Sequence, residues 1–412
     1  MNRSAIQNLI NRQGLDYPNQ FWLLFWGMLI STAGASMIWP FLMIYVSEKL
    51  NLPMTAVASL MTLNAGAGLV SSFVIGPITD RVGRKLTMII GLAATGLSYL
   101  AMIPADTLIA FAVLMTLRGL FNPFYRVGSD AMVADLIPDE DRAEAYAITR
   151  LGKNVGVALG PAVGGFVATA SYSIAFWAAA IGLISFSLLL LLRAEETLPQ
   201  TEFGEIAPPI GIRSYKEIFA NRIFMPFVFS FTLAQIGSTM VWVLMAVYAK
   251  ENYGVLERQY GFIPMTNALM VVFLQVWVTR RTKKFEPYYM LGLGAFLYAS
   301  GVTSVAFAEG FLGFWISIVI ITTGELIIVP TATTFVANIA PKDMRGRYMS
   351  LFSLSWGTAA GIGPLFGGYL NDNISPTAIW YGGGIIGLLG AVWFVVQSRG
   401  KKTSEIYKIS EV

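Results

Sequence analysis

Apolar residue types make up 55% of the 412 residues and charged types only 13%, too little polar surface to clothe a soluble globule, so the outside of the folded chain must meet lipid. The chain has no cysteine and no histidine, which removes disulfide and thiol chemistry and leaves proton handling to carboxylates. Its net charge of +4 points to no nucleic-acid partner, because the basic residues fall at alternate ends of the apolar segments.

Residues 1–19 are polar or mixed and show no short apolar core followed by a small-residue cleavage site, so no cleaved signal peptide is expected. Apolar stretches long enough to cross a bilayer follow near 21–47, 55–78, 85–104, 107–134, 144–170 and 173–193, then near 223–250, 256–279, 287–308, 311–338, 346–371 and 376–398. Between the two sets lies a polar stretch with Glu195, Glu196, Pro199, Pro208, Pro209 and Lys216, read as a linker. The expected fold is therefore an all-α membrane protein of twelve transmembrane helices in two pseudo-symmetric six-helix bundles. Its units are residues 1–193, a linker 194–222, residues 223–398 and a tail 399–412. If the N-terminus is cytoplasmic, the inside loops hold most of the arginines and lysines and the outside loops only Lys49, Lys250 and Arg258. That bias places the linker and both termini in the cytoplasm.

A segment that occurs twice supports the two bundles. Val133 to Arg142, leading to Gly160-Pro-Ala-Val-Gly-Gly165, recurs as Val336 to Arg345, leading to Gly363-Pro-Leu-Phe-Gly-Gly368, at a constant offset of 203 residues. A parallel half-length repeat in an apolar chain is how many secondary transporters are built. In the fifth span, Gly156, Gly160, Pro161, Gly164 and Gly165 line one stripe where a neighbouring helix can approach closely. Gly363, Pro364, Gly367 and Gly368 repeat its core in the eleventh, so either stripe is a candidate swivel between halves.

The loop after the second span reads Gly76-Pro-Ile-Thr-Asp80-Arg81-Val-Gly83-Arg84-Lys85. Its glycines allow a tight turn, and a carboxylate among several cations can latch one conformation and release another. Here the chain resembles the major facilitator superfamily, whose loop signature Gly76, Asp80, Arg81, Gly83, Arg84 and Lys85 match. The equivalent loop of the second half, Thr279 to Lys284, keeps the charge and loses the Asp and Gly, so a one-sided latch is expected. Asp130, Asp135, Arg126, Glu144, Arg150 and Lys153 are expected to join Arg84 and Arg142 in an ion-pair network at that gate. The fifth-span glycine motif resembles that of the drug-exporting antiporter branch, which implies efflux rather than uptake.

Two charges lie near the middle of a span, Arg118 in the fourth and Glu325 in the tenth, and a charge there is costly unless paired or hydrated. Position 325 maps by the repeat to 122, one turn from Arg118 on the same helix face, so the two are expected to face one central cavity from opposite bundles. A carboxylate taken out of water holds its proton, and a nearby cation releases it. Glu325 is therefore the candidate proton carrier, with Arg118 as its partner in coupling; a permanent ion pair or hydrogen bond is the plainer alternative. Where drug antiporters of the family carry an acid in the first span, this chain has Ser31, Thr32 and Ser36. Candidate cavity residues are Asn64, Asn154, Gln235, Ser238, Asn267 and Gln275, with Trp26, Trp39, Trp242 and Trp356 as aromatic surfaces.

The resemblance implies a monomeric transporter of an inner or plasma membrane that needs no cofactor and spends a proton gradient to export amphiphilic small molecules. A Gly-x-x-x-x-Gly-Lys-Ser/Thr loop for ATP is absent from the sequence. A lipid or lipid-linked sugar exporter is the alternative, and a non-transporting receptor or scaffold a weaker one. No nucleophile and base and no metal-ligand cluster points to an enzyme.

Overall fold

The computed structural model describes residues 17–138, 141–198, 218–341 and 344–399. Most of the expected linker, 199–217, and the tail from 400 lie outside the described residues. The first span is two helices, Asn19–Ile38 and Leu42–Leu50, broken around Pro40, whose ring and missing N–H interrupt the hydrogen-bond ladder. The rest of the first half is Met54–Val82, Arg84–Met102, Leu108–Leu136, Arg142–Ala170 and Tyr172–Arg193. The second half runs Phe224–Tyr253, then Glu257–Tyr260 with Phe262–Thr282, Pro287–Ser304, Gly310–Ile339, Arg345–Asn373 and Ala378–Arg399. Among the described residues there are no strands.

Local chemistry sets several of these ends. Gly83, at φ +106°, takes a backbone conformation that side chains rarely adopt and turns the chain between the second and third spans. The Thr107 hydroxyl caps the fourth span by accepting from the Ala110 N–H at 3.2 Å. Glu286 does the same for the ninth, accepting from the Tyr289 N–H at 2.9 Å with Pro287 in the first turn.

Eleven of the spans are both long and apolar enough to cross a membrane. The eleventh in chain order, Arg345–Asn373, is the more polar twelfth member. At 29 residues it reaches about 43 Å, ample for the hydrocarbon. Its serines, threonines and glycines are the residues that let it sit close to neighbouring helices. The repeat carries into three dimensions: helix Arg142–Ala170 maps onto Arg345–Asn373 with both ends displaced by 203. Within each half the helices pack on one another, and the halves are joined by the second span with the eleventh, the fifth with the eighth and, toward the far end, the first with the seventh.

With six crossings per half, residues 17, 198, 218 and 399 lie at one end of the molecule, here the near end. The short joints at 51–53, 103–107, 254–256 and 374–377 lie at the far end.

Candidate transport pathway

The far end is closed by two clasps that the repeat makes equivalent. On one side Asp372, at the end of the eleventh span, accepts from the N–H groups of Met54 (3.1 Å) and Thr55 (2.7 Å) and from the Thr55 hydroxyl (2.6 Å), at the start of the second. A carboxylate on the exposed N–H groups of a helix start is favoured by both hydrogen bonding and the helix dipole. On the other side Thr169, at the end of the fifth span, accepts from the Arg258 N–H at 3.2 Å, at the start of the eighth. Thr55 maps onto 258 and Thr169 onto 372, each by 203, so one clasp is ionic and its twin neutral.

A charge cluster built on the buried Glu257 reinforces the neutral side. The Lys250 ammonium pairs with Glu48 of the opposite half and with Glu257, and the Tyr172 hydroxyl donates to the same Glu257 carboxylate. Glu257 is 4% exposed, a burial tolerable for a carboxylate only when it is paired in this way. The Ser47 hydroxyl adds a bond to Glu251 at 2.7 Å. At the near end no hydrogen bond or ion pair joins the two halves among the described residues; the bond closest to it is Thr62 Oγ1 to the Gly361 carbonyl, 2.6 Å. The molecule is thus clasped at the far end and parted at the near end.

The parted region contains two connected spaces. The inner one, about 350 Å³, is lined by Ser36, Trp39, Asn64, Arg118, Pro161 and Trp242, among others. The Trp39 and Trp242 rings meet across the halves with centroids 6.0 Å apart. Nearer the mouth a vestibule of about 680 Å³ lies between the second, fourth and eleventh spans and includes Asn122, Arg126, Ser350 and Trp356. Trp26 lines none of the described cavities; it is 58% exposed, on the face of its helix turned from Ala35. Asn154 and Gln275 are not lining residues either: the Gln275 amide donates to the Leu326 carbonyl within its own bundle, 3.0 Å.

Each bundle holds one charge by the same device. In the first, Arg118 is 8% exposed; its Nε donates to the Tyr99 hydroxyl at 3.3 Å and Nη1 makes a long contact with Asn64 Oδ1, 3.5 Å. In the second, Asn267 Nδ2 donates to Glu325 Oε2 at 2.8 Å and to the Thr322 hydroxyl at 2.9 Å. Asn64 and Asn267 are repeat equivalents, displaced by 203, so one asparagine orients a cation and the other an anion.

The expected meeting of Arg118 and Glu325 in one cavity is not what the structure shows. Arg118 lines the inner space, whereas Glu325 is partly buried beside Asn267 and is not among the lining residues. The cation whose charge reaches it is Arg150 of the fifth span. Gln235 and Ser238, expected at the cavity wall, lie in the core of the second bundle next to the Tyr298 hydroxyl. Gln235 is fully buried and neither amide atom makes a well-formed hydrogen bond.

At the near end the latch residues gather within the first half. Arg84 pairs with Asp80 (3.2 Å) and Asp135 (3.0 Å), and Lys153 with Asp130 (3.8 Å). Arg142 Nε donates to the carbonyls of Ala134 (2.9 Å) and Ile137 (3.0 Å), tying the fourth span to the fifth. Arg81 is exposed and Gly76 has open space around it. Among the described residues none of these ion pairs and hydrogen bonds reaches the second half. Glu196, of the linker, completes the network: its carboxylate accepts from the Arg84 N–H (2.9 Å) and the Lys85 N–H (3.1 Å), capping the third span.

The glycine stripes divide their labour. Gly156, Gly160 and Gly164 lie against the first span of their own bundle, at Leu29 to Met37, and Gly363 and Gly367 against the seventh. Only the last glycine of each motif faces the other half: Gly165 meets Glu257 and Arg258, and Gly368 meets Met54 and Thr55. In the fifth span the Pro161 backbone also meets the other half, at Gly261, so the contact between halves falls on the far-end part of each stripe, next to the clasps.

The clasp residues Asp372, Thr169, Lys250, Glu257 and Glu48 were not singled out from sequence, although extending the 203 offset to both helix ends pairs four of the contacting positions. Glu196 carried no signal beyond its charge in the linker.

Two similar helical bundles, parted at one end around a cleft lined by Arg118 and clasped at the other, define a membrane transporter built on a parallel repeat. The model of the family described as Major Facilitator Superfamily matches residues 24–240 and again residues 227–408, and the chain belongs to that family; it is a transporter and not an enzyme. It is similar to a Na(+), Li(+), K(+)/H(+) antiporter of Planococcus maritimus, 26% identical over 384 residues that cover 84% of this chain and 87% of the relative. It is also similar to the quinolone resistance protein NorA of Staphylococcus aureus (strain Mu50 / ATCC 700699), 22% identical over 386 residues, 92% and 97% of the two chains. Among solved structures, a POT family transporter in complex with a thioalcohol-conjugated peptide superposes with a TM-score of 0.78 at 15% identity, covering 94% of this chain and 97% of that one.

Proposed function

We propose that the protein is a proton-coupled exporter of amphiphilic small molecules in an inner or plasma membrane, with the near end in the cytoplasm. The cation-rich near-end loops support that orientation, and the relatives named for quinolone resistance and for cation/proton antiport support export against protons. Because both bundles belong to one chain, a monomer contains the whole path. The observation that carries the coupling is Glu325, a single acid in the middle of a span, held by Asn267 and within the field of Arg150 from the other half.

Closing the near end draws the fifth and tenth spans together and brings Arg150 onto ionised Glu325, which favours the outward-facing state. A proton arriving from outside neutralises Glu325, releases Arg150 and lets the near end part. Loss of that proton to the cytoplasm prepares the cleft for the next substrate, so an inward proton gradient drives substrate out. The Asp80, Arg84 and Asp135 cluster is the latch that engages the second half when the near end closes. No cofactor enters the cycle.

Dye efflux from proteoliposomes under an imposed pH gradient, compared with Glu325→Gln, tests this reading. The unaltered protein is expected to move dye and protons in opposite directions and the variant to do neither against a gradient. Equal gradient-driven transport by both overturns the role of Glu325. Movement of lipid in place of dye is the second reading, favoured by the opening between the second and eleventh spans described next.

A further inference from the structure

Most glycines in these bundles sit where another backbone or side chain presses in; of the helical glycines that do not, Gly66 and Gly361 line one groove and Gly76 lies outside it. A Cβ built at Gly66 or Gly361 meets nothing within 4 Å, so these two omit side chains without any packing demand. The space they leave is an apolar groove of about 590 Å³ between the second and eleventh spans, walled by Thr62, Leu69, Ile362, Phe366 and Tyr369. Val70, Phe73, Ile362 and Tyr369 are all at least half exposed on these helices, an apolar surface that suits a hydrocarbon tail. The groove shares Ala65, Leu69 and Gly357 with the vestibule, and the vestibule shares Asn64 and Asn122 with the inner cavity. Apolar groove, vestibule and polar inner cavity thus adjoin one another in turn.

The cleft's charge is one-signed. Arg118, Asn122 and Arg126 follow one another at four-residue steps, which puts them on one face of the fourth span. Arg118 lines the inner cavity and Arg126 the vestibule. Among the described residues neither arginine is paired with a carboxylate, and no aspartate or glutamate lines the groove, the vestibule or the inner cavity. A nearly buried guanidinium without a counter-charge is costly, and the partner missing from the protein is an anion.

Taking the cleft as the transport path, as proposed above, we propose that it binds a single-tailed anionic amphiphile taken from the lipid layer, its tail in the groove at Gly66 and Gly361 and its head on Arg126 and then Arg118. Head and proton then occupy different walls, the arginines of the first bundle and Glu325 of the second, and exchange is coupled through bundle motion rather than by competition for one carboxylate.

The test is photolabelling of the full chain in phosphatidylcholine nanodiscs, without a pH gradient, by palmitate carrying a diazirine in its tail, with the labelled peptides mapped by mass spectrometry. Label is expected in residues 55–73 and 350–369. Palmitate should displace it and hexadecyltrimethylammonium, of equal tail length, should not. Arg126→Gln should weaken labelling about tenfold and Arg126→Lys much less. Gly361→Leu, which fills the groove at a site with room for the side chain, should abolish it while the melting temperature stays unchanged. Displacement by the cationic competitor overturns the anionic head, displacement by two-tailed phosphatidylglycerol as readily as by palmitate overturns the single tail, and unchanged labelling in Arg126→Gln and Gly361→Leu overturns the site. Glu325→Gln should label like the unaltered protein, so failure here leaves the proton-coupling reading to its own assay.

Discussion

Replacing Asp372 by alanine removes the three hydrogen bonds that hold the start of the second span to the end of the eleventh, and the variant should spend more time open at the far end. Hydrogen bonds to a charged acceptor contribute about 1.5–3 kcal/mol each when sheltered. Asp372 is exposed, so water replaces much of what is lost, and about 1–2 kcal/mol for the whole clasp is the appropriate scale. That is a fivefold to thirtyfold shift in the ratio of far-end-closed to far-end-open molecules. The chain has no cysteine, so spin labels can be placed on Asp106→Cys and Glu309→Cys, exposed positions on opposite halves at the far end, without altering the background. Double electron–electron resonance should show a longer-distance population growing in Asp372→Ala. Thr169→Val, which removes the single neutral bond of the twin clasp, should shift the same population by threefold or less. Identical distance distributions in all three proteins would refute the clasp argument and leave far-end closure to packing alone.

Glycine substitutions should separate the two kinds of close approach. Gly368→Ala sets a methyl carbon 2.8 Å from the Thr55 backbone of the other half, and the spin-labelled pair should report far-end opening without loss of folded protein. Gly156→Ala presses on Leu29 and Thr32 within one bundle, and should cost about 1–3 kcal/mol, read as a lower melting temperature with an unchanged distance distribution. Glu196→Ala uncaps the third span and should cost about 0.5–1 kcal/mol, measurable as faster amide exchange at Arg84 and Lys85 than in the unaltered protein.

Composition, span lengths and the repeat were enough to place the twelve helices, because lipid penalises any unsatisfied backbone and so leaves an apolar run of this length little choice but to be a helix. The loop from Gly76 to Lys85 and the Gly-Pro-x-x-Gly-Gly pairs were legible for a similar reason: each rests on neighbours in sequence, where a turn or a bare helix face depends on residue type. Glu325 and Arg118 could be found as charges in the wrong medium. Their partners could not, since an asparagine looks the same in sequence whether it faces a cavity, as Asn64 does, or a carboxylate, as Asn267 does. Tertiary structure alone decided that Arg118 lines the inner cavity and Glu325 does not, that Trp26 points away and Trp39 inward, and that Gly165 and Gly368 are the stripe glycines that meet the other half. It also decided which end is shut. The clasp at Asp372 joins residues 317 positions apart, and a contact between rigid bundles depends on how they are tilted, which no local pattern of residues records.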